Sequence, residues 1–126
     1  MEILLVRHGE PVTVVNESEP ADPHLTERGS WQAERLAEWL AHEPIDAIVS
    51  SSKRRAIDTA RPLCTRLAIE PELIPDLVEI DRLSRIYAPP PLLAERFPEY
   101  VEAMQKGDFE SIGWDSYEDF QARVTR

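Results

Sequence analysis

Arg7-His8-Gly9 directly follows an apolar run over residues 3–6, and these residue types at that place can do phosphoryl chemistry. A short, continuous apolar run closed by a glycine predicts a buried strand of a parallel sheet. Parallel sheets bind their ligands beyond the carboxyl ends of the strands. An imidazole there can attack a phosphate while the adjacent guanidinium holds its oxygens, and the glycine lets backbone come close. The tripeptide alone also fits a surface ion pair at Arg7 and a histidine satisfied at a strand end.

A second cationic stretch, Ser50-Ser51-Ser52-Lys53-Arg54-Arg55-Ala56, follows another apolar run and opens a helix. A helix N-terminus is already electropositive, so three cations there conflict unless an anion joins them. Arg55 is the expected second phosphate clamp, and Arg54 is expected to be solvated. Glu79 and Asp81 follow a third apolar run. Either carboxyl can protonate a leaving alkoxide and then activate water, once a partly dry pocket raises its pKa. The bland reading of both is a surface carboxylate.

The elements that position these groups follow from patterning. Residues 11–23 carry three prolines and no period, and read as a loop over the first strand's end. Thr26 is a good N-cap, and Glu27 suits the positive end of a helix. Ala33, Leu36, Ala37 and Leu40 then line one helical face that stops near His42. Residues 45–50 predict a second strand with Ala47, Ile48 and Val49 buried. A second helix places Ala56, Ala60, Leu63 and Leu67 on one face, and Pro62 predicts a kink or break within it. Residues 72–77 predict a third strand, weakened by Pro71 before it and Pro75 within it. Residues 79–114 are irregular, interrupted by Pro89-Pro90-Pro91, with a helix over 98–106 ended by Gly107. Ser116 to Asp119 resembles a capping box, starting a helix with Tyr117, Phe120 and Val124 on one face. That helix meets no stop signal before Arg126, so the domain is expected to be incomplete at its C-terminus.

The 126 residues allow one domain, and a net charge of −10 argues against nucleic acid or an anionic membrane as partner. No apolar run is long enough to span a bilayer and no signal-peptide pattern is present, which predicts a cytoplasmic protein. The single Cys64 excludes an internal disulfide and a cysteine-based zinc site, and reads as a small core residue. His24 and His42 read as surface residues, although His24 lies on a loop that can lean over the pocket.

Arg7-His8-Gly9-Glu10, Leu25-Thr26-Glu27-Arg28-Gly29 with Gln32-Ala33, Ser50-Ser51 through Arg55-Ala56 to Thr59-Ala60, and Asp115-Ser116-Tyr117 with Arg123-Val124 occur in this order. Together they resemble the histidine phosphatase superfamily, the phosphoglycerate mutase-like proteins, along the whole chain except for a poor match over 81–114. The resemblance implies an α/β fold, a three-layer α/β/α sandwich with a mostly parallel sheet, and a phosphohistidine intermediate. It makes neutral His8 the nucleophile, its other ring nitrogen held by a backbone carbonyl. It makes Arg7 and Arg55 the groups that bind the phosphoryl oxygens. Glu79 falls where the family usually carries its acid. Gly9, Glu10, Asp81 and His24 are further candidates around the site, and residues 82–114 a variable, substrate-facing insertion.

No metal or organic cofactor is implied, and the partner is a small phosphorylated substrate. Two departures stand out. Asp81-Arg82-Leu83-Ser84-Arg85 replaces the glycine and Trp-Glu-Gly-like stretch that usually follows the acid. The family's second active-site histidine, on a later strand before a glycine, has no counterpart here. The expected activity is phosphomonoester hydrolysis through phospho-His8. The alternatives are mutase-type phosphoryl transfer and, if the chain truly ends at 126, a non-catalytic phosphate-binding or interaction module.

Overall fold

In the computed structural model, which describes residues 1–126, the elements in chain order are β1 (Val14–Val15), α1 (Glu27–Leu40), β2 (Val49–Ser50), α2 (Arg54–Leu67), β3 (Glu72–Leu73), β4 (Ile86–Tyr87), α3 (Pro90–Arg96), α4 (Pro98–Lys106) and α5 (Tyr117–Val124). Two short 3-10 turns, Pro75–Leu77 and Glu110–Ile112, complete them. The chain divides into two compact units, Met1–Pro11 with His24–Ile74, and Val12–Pro23 with Pro75–Arg126. No helix is long and apolar enough to cross a membrane.

The first unit is built on α1 packed against α2. Thr26 caps α1 as expected, its hydroxyl accepting from the Gly29 amide at 2.9 Å. Ala37, Leu40 and Leu63 form its buried core, flanked by Leu36, Ile45, Ile48 and Leu67. Each buried leucine contributes roughly 1.5–3 kcal/mol relative to exposure. β2 pairs with β3 in parallel, Val49 opposite Glu72 and Ser50 opposite Leu73, so β2, α2 and β3 make a βαβ unit.

The second unit pairs β1 antiparallel with β4. Ile86, Tyr100, Ala103 and Ile112 form its core, and Phe97, Met104 and Trp114 pack around them. Gly113, at φ +73°, allows a close approach to Leu83: an added Cβ would lie 2.5 Å from the Leu83 carbonyl oxygen. α4 spans the expected residues and ends at Gly107 in the left-handed region.

Several local expectations are corrected. Residues 3–6 pair with no strand, and Ile3, Leu4, Leu5 and Val6 are all exposed, Leu5 at 94%. A run apolar on every residue suits a strand covered on both faces, and no layer of this chain covers it. Ala47 and Val49 are exposed for the same reason, and the second strand shrinks to two paired residues. The third strand ends at Leu73, because Pro75 starts a 3-10 turn where a ladder amide would be needed. Pro62 does not end α2; the helix runs through it to Leu67. Pro90 and Pro91 do not merely interrupt but open α3, where their missing amides cost nothing. In α5, Tyr117 and Val124 are exposed, and the buried residue is Arg123.

Candidate active site

The Arg7-His8-Gly9 loop lies in the first unit along a groove of about 590 Å³, lined in part by Arg7, His8, Gly9, Gln32, Trp39 and Thr59. His8 is half-buried, with Nδ1 2.8 Å from the Gly9 carbonyl oxygen. A carbonyl only accepts, so this contact puts the proton on Nδ1 and the lone pair on Nε2. The Gly9 amide donates to Thr59 Oγ1 at 2.9 Å, and the Thr59 hydroxyl donates to the Arg55 carbonyl at 2.7 Å. One threonine of α2 therefore ties the histidine loop to the turn of helix that carries Arg55.

Glycine is required at both ends of this contact. An added Cβ on Gly9 would lie 2.6 Å from the Gly29 carbonyl oxygen, and one on Gly29 would lie 2.1 Å from the Glu10 carbonyl oxygen. The loop is pinned further by Glu10. Its amide donates to Gln32 Oε1 at 2.8 Å, and its carbonyl accepts from the Thr26 amide at 2.9 Å. The Thr26 hydroxyl reaches the Glu10 carboxylate at 3.0 Å. Glu10 thus holds the N-terminus of α1 against the histidine loop.

The two neighbouring arginines differ. Arg55 is buried, 2% exposed, at the start of α2, whereas Arg54 is exposed. Arg54 lines a second groove with His24, Trp31 and Arg61. Arg7 is exposed, and His24 and His42 are at the surface.

Glu79 and Asp81 belong to the second unit; Glu79 is exposed and Asp81 half-buried. They follow Leu77 and Val78 in a segment without regular structure rather than a paired strand end. A buried ion pair stands behind that segment. Arg123 donates from Nη2 to Asp115 Oδ2 at 2.7 Å, and Arg82 donates from Nε to Asp115 Oδ1 at 2.6 Å. Burial pushes the Asp115 carboxyl up, but the hydrogen bonds and charges of Arg82 and Arg123 outweigh it and hold the carboxyl below its ordinary value. Cys64 is buried, and its thiol is pushed up chiefly by burial, so it is an inert core residue as expected. No group of three or more His, Cys, Asp or Glu side chains is arranged to hold a metal.

Thr59 and Arg123 belong to the sequence motifs, yet motif membership assigns neither a task. The spacing of Thr59 four residues after Arg55 was the available signal, since a helical threonine can donate to the carbonyl one turn back. Nothing local announces that Arg123 turns inward.

The fold and the Arg-His-Gly loop define an α/β protein of the phosphoglycerate mutase-like class. The chain belongs to the histidine phosphatase superfamily, branch 1, which it matches over residues 3–126. It is similar to the adenosylcobalamin/alpha-ribazole phosphatase of Salmonella typhimurium, 37% identical over 82 residues that cover 64% of this chain and 41% of that protein. Among solved structures it resembles the alpha-ribazole phosphatase from Shigella flexneri, with a TM-score of 0.67 and 26% identity, covering 96% of this chain and 62% of that one. It also resembles the mycobacterial glucosyl-3-phosphoglycerate phosphatase solved with inorganic phosphate, with a TM-score of 0.53 and 28% identity, covering 76% of this chain and 45% of that one. The chain spans about 40% of the length of the curated relatives it matches.

Proposed function

We propose that this chain carries the phosphoryl-transfer half-site of a cytoplasmic phosphomonoester hydrolase that works through phospho-His8. The observation that carries the reading is the 2.8 Å contact between His8 Nδ1 and the Gly9 carbonyl oxygen, which supports Nε2 as the nucleophile. In the first step Nε2 attacks phosphorus and the ester oxygen leaves with its bonding pair. Glu79 gives that oxygen a proton, with Asp81 as the alternative donor. Arg7 and Arg55 take up charge on the phosphoryl oxygens. In the second step the ionised carboxylate accepts a proton from water, which attacks phosphorus and releases His8 and inorganic phosphate.

Residues 82–114 are the substrate-facing segment in this reading. The similar proteins are named as phosphatases of alpha-ribazole and of glucosyl-3-phosphoglycerate, which supports a small organic phosphomonoester as substrate.

Incubation with a radiolabelled phosphomonoester followed by a rapid quench is expected to leave acid-labile, base-stable label on the chain. That label is expected to vanish in His8→Ala. A wild-type chain that never takes up label, yet binds phosphate, would favour the binding-module reading. Passage of the label to a second phosphorylated acceptor rather than water would favour a mutase.

A further inference from the structure

The backbone that presents Glu79 is held by a side chain, Arg123, where no sheet pairing reaches it. Arg123 lies near the end of α5, and its side chain is 7% exposed. Its Nη1 donates to the carbonyls of Asp76 at 2.7 Å and Val78 at 2.6 Å. Its Nη2 donates to the carbonyl of Glu79 at 3.3 Å and to Asp115 Oδ2 at 2.7 Å, and its Nε donates to the same Asp115 oxygen at 3.1 Å. A guanidinium has five N–H bonds, and these five contacts use all of them. The Asp115 amide adds a bond to the Ile80 carbonyl at 2.9 Å. The segment from Val78 to Ile80 has no strand pairing, so Arg123 and Asp115 supply the order that a ladder would otherwise provide.

We propose that Arg123 is the positioning residue of the proton donor: it locks the carbonyls of Asp76, Val78 and Glu79 itself, and so sets where the Glu79 carboxyl can reach. This rests on the reading of Glu79 as that donor. The fork geometry matters, because a lysine in its place keeps one charge but cannot bond a carboxylate and three carbonyls together. Asp115 acts through Arg123, by fixing the plane of the guanidinium.

Arg123→Lys and Arg123→Gln in the full chain test this. In both variants amide hydrogen exchange at residues 78–80 is expected to rise at least about tenfold, with α4 and α1 unchanged, since a local opening has replaced the clamp. Unchanged exchange at 78–80 would overturn the proposal. A second readout depends on chemistry. An alkyl phosphate needs its leaving oxygen protonated, whereas p-nitrophenyl phosphate releases p-nitrophenolate, an anion stable without a proton.

Loss of general-acid help is expected to lower kcat/KM for the alkyl ester on the order of 100-fold and to change that for the aryl ester by less than about threefold. Glu79→Gln is expected to show the same selective loss, and Arg123→Lys to follow it. Equal losses on both esters in Arg123→Lys would mean a merely structural arginine. Equal losses on both in Glu79→Gln, with the exchange result intact, would instead sink Glu79 as the donor while leaving the clamp in place.

Discussion

Arg55 and Arg54 are neighbours of the same charge with opposite fates. At a helix start, side chains one residue apart point about 100° apart, so the two face different surroundings. Arg55 is buried, 2% exposed, in the turn whose carbonyl accepts from Thr59. Arg54 stays at the surface beside His24. Hydrogen bonds to charged groups are worth about 1.5–3 kcal/mol, so Arg55→Ala is expected to weaken vanadate or phosphate binding on the order of tenfold or more. Arg54→Ala is expected to change it little. Titration calorimetry on the two variants separates them, and equal losses would remove Arg55 from the clamp. The sequence supports this choice because Arg55 stands one position before Ala56 and helix geometry points neighbours in different directions. It was silent on Arg123, because a charged residue in an eight-residue helix ordinarily faces water.

At the scale of elements, helices are legible in the residues and strands are not. α1 follows its Thr26 cap and apolar face, and α4 its Gly107 stop, signals that all lie within a few residues in sequence. A strand is defined by a partner far along the chain, and residues 3–6 and 45–48 have apolar composition without a paired ladder. α1 also shows how tertiary contact overrides propensity. Replacing a helical glycine by alanine ordinarily stabilises the helix by about 1 kcal/mol. At Gly29 the new Cβ would meet the Glu10 carbonyl oxygen at 2.1 Å, and backbone at that contact cannot swing away as a side chain could. Gly29→Ala is therefore expected to destabilise the first unit by about 1–3 kcal/mol, the usual cost of overpacking. Thermal or urea denaturation reads the sign directly, and a stabilised variant would show that the α1 start and the histidine loop are not in the contact described.

For the whole molecule, the balance of surface is the telling feature. Ile3, Leu4, Leu5, Val6 and Trp39 line one groove of the first unit and are all exposed, Trp39 at 73%. Contiguous apolar surface of this kind is unusual on a monomeric protein and lowers its solubility. The 126-residue chain is expected to bind a hydrophobic dye such as ANS and to self-associate as concentration rises, despite its charge of −10. Leu5→Lys with Trp39→Gln is expected to reduce both while leaving the denaturation midpoint close to wild type, because neither side chain is in the core. A wild-type chain that stays monomeric and dye-free would contradict the exposure described.

Family, α/β class, helix caps and the choice of Arg55 over Arg54 are legible in the residues alone, because they are written in local order and spacing. Folding adds what no local pattern holds: that Nδ1 of His8 faces a carbonyl, and that Arg123 turns inward to clamp the Glu79 backbone. Each of those depends on which distant atoms meet, and a hydrogen bond or a buried charge exists only once the chain has brought its partner to it.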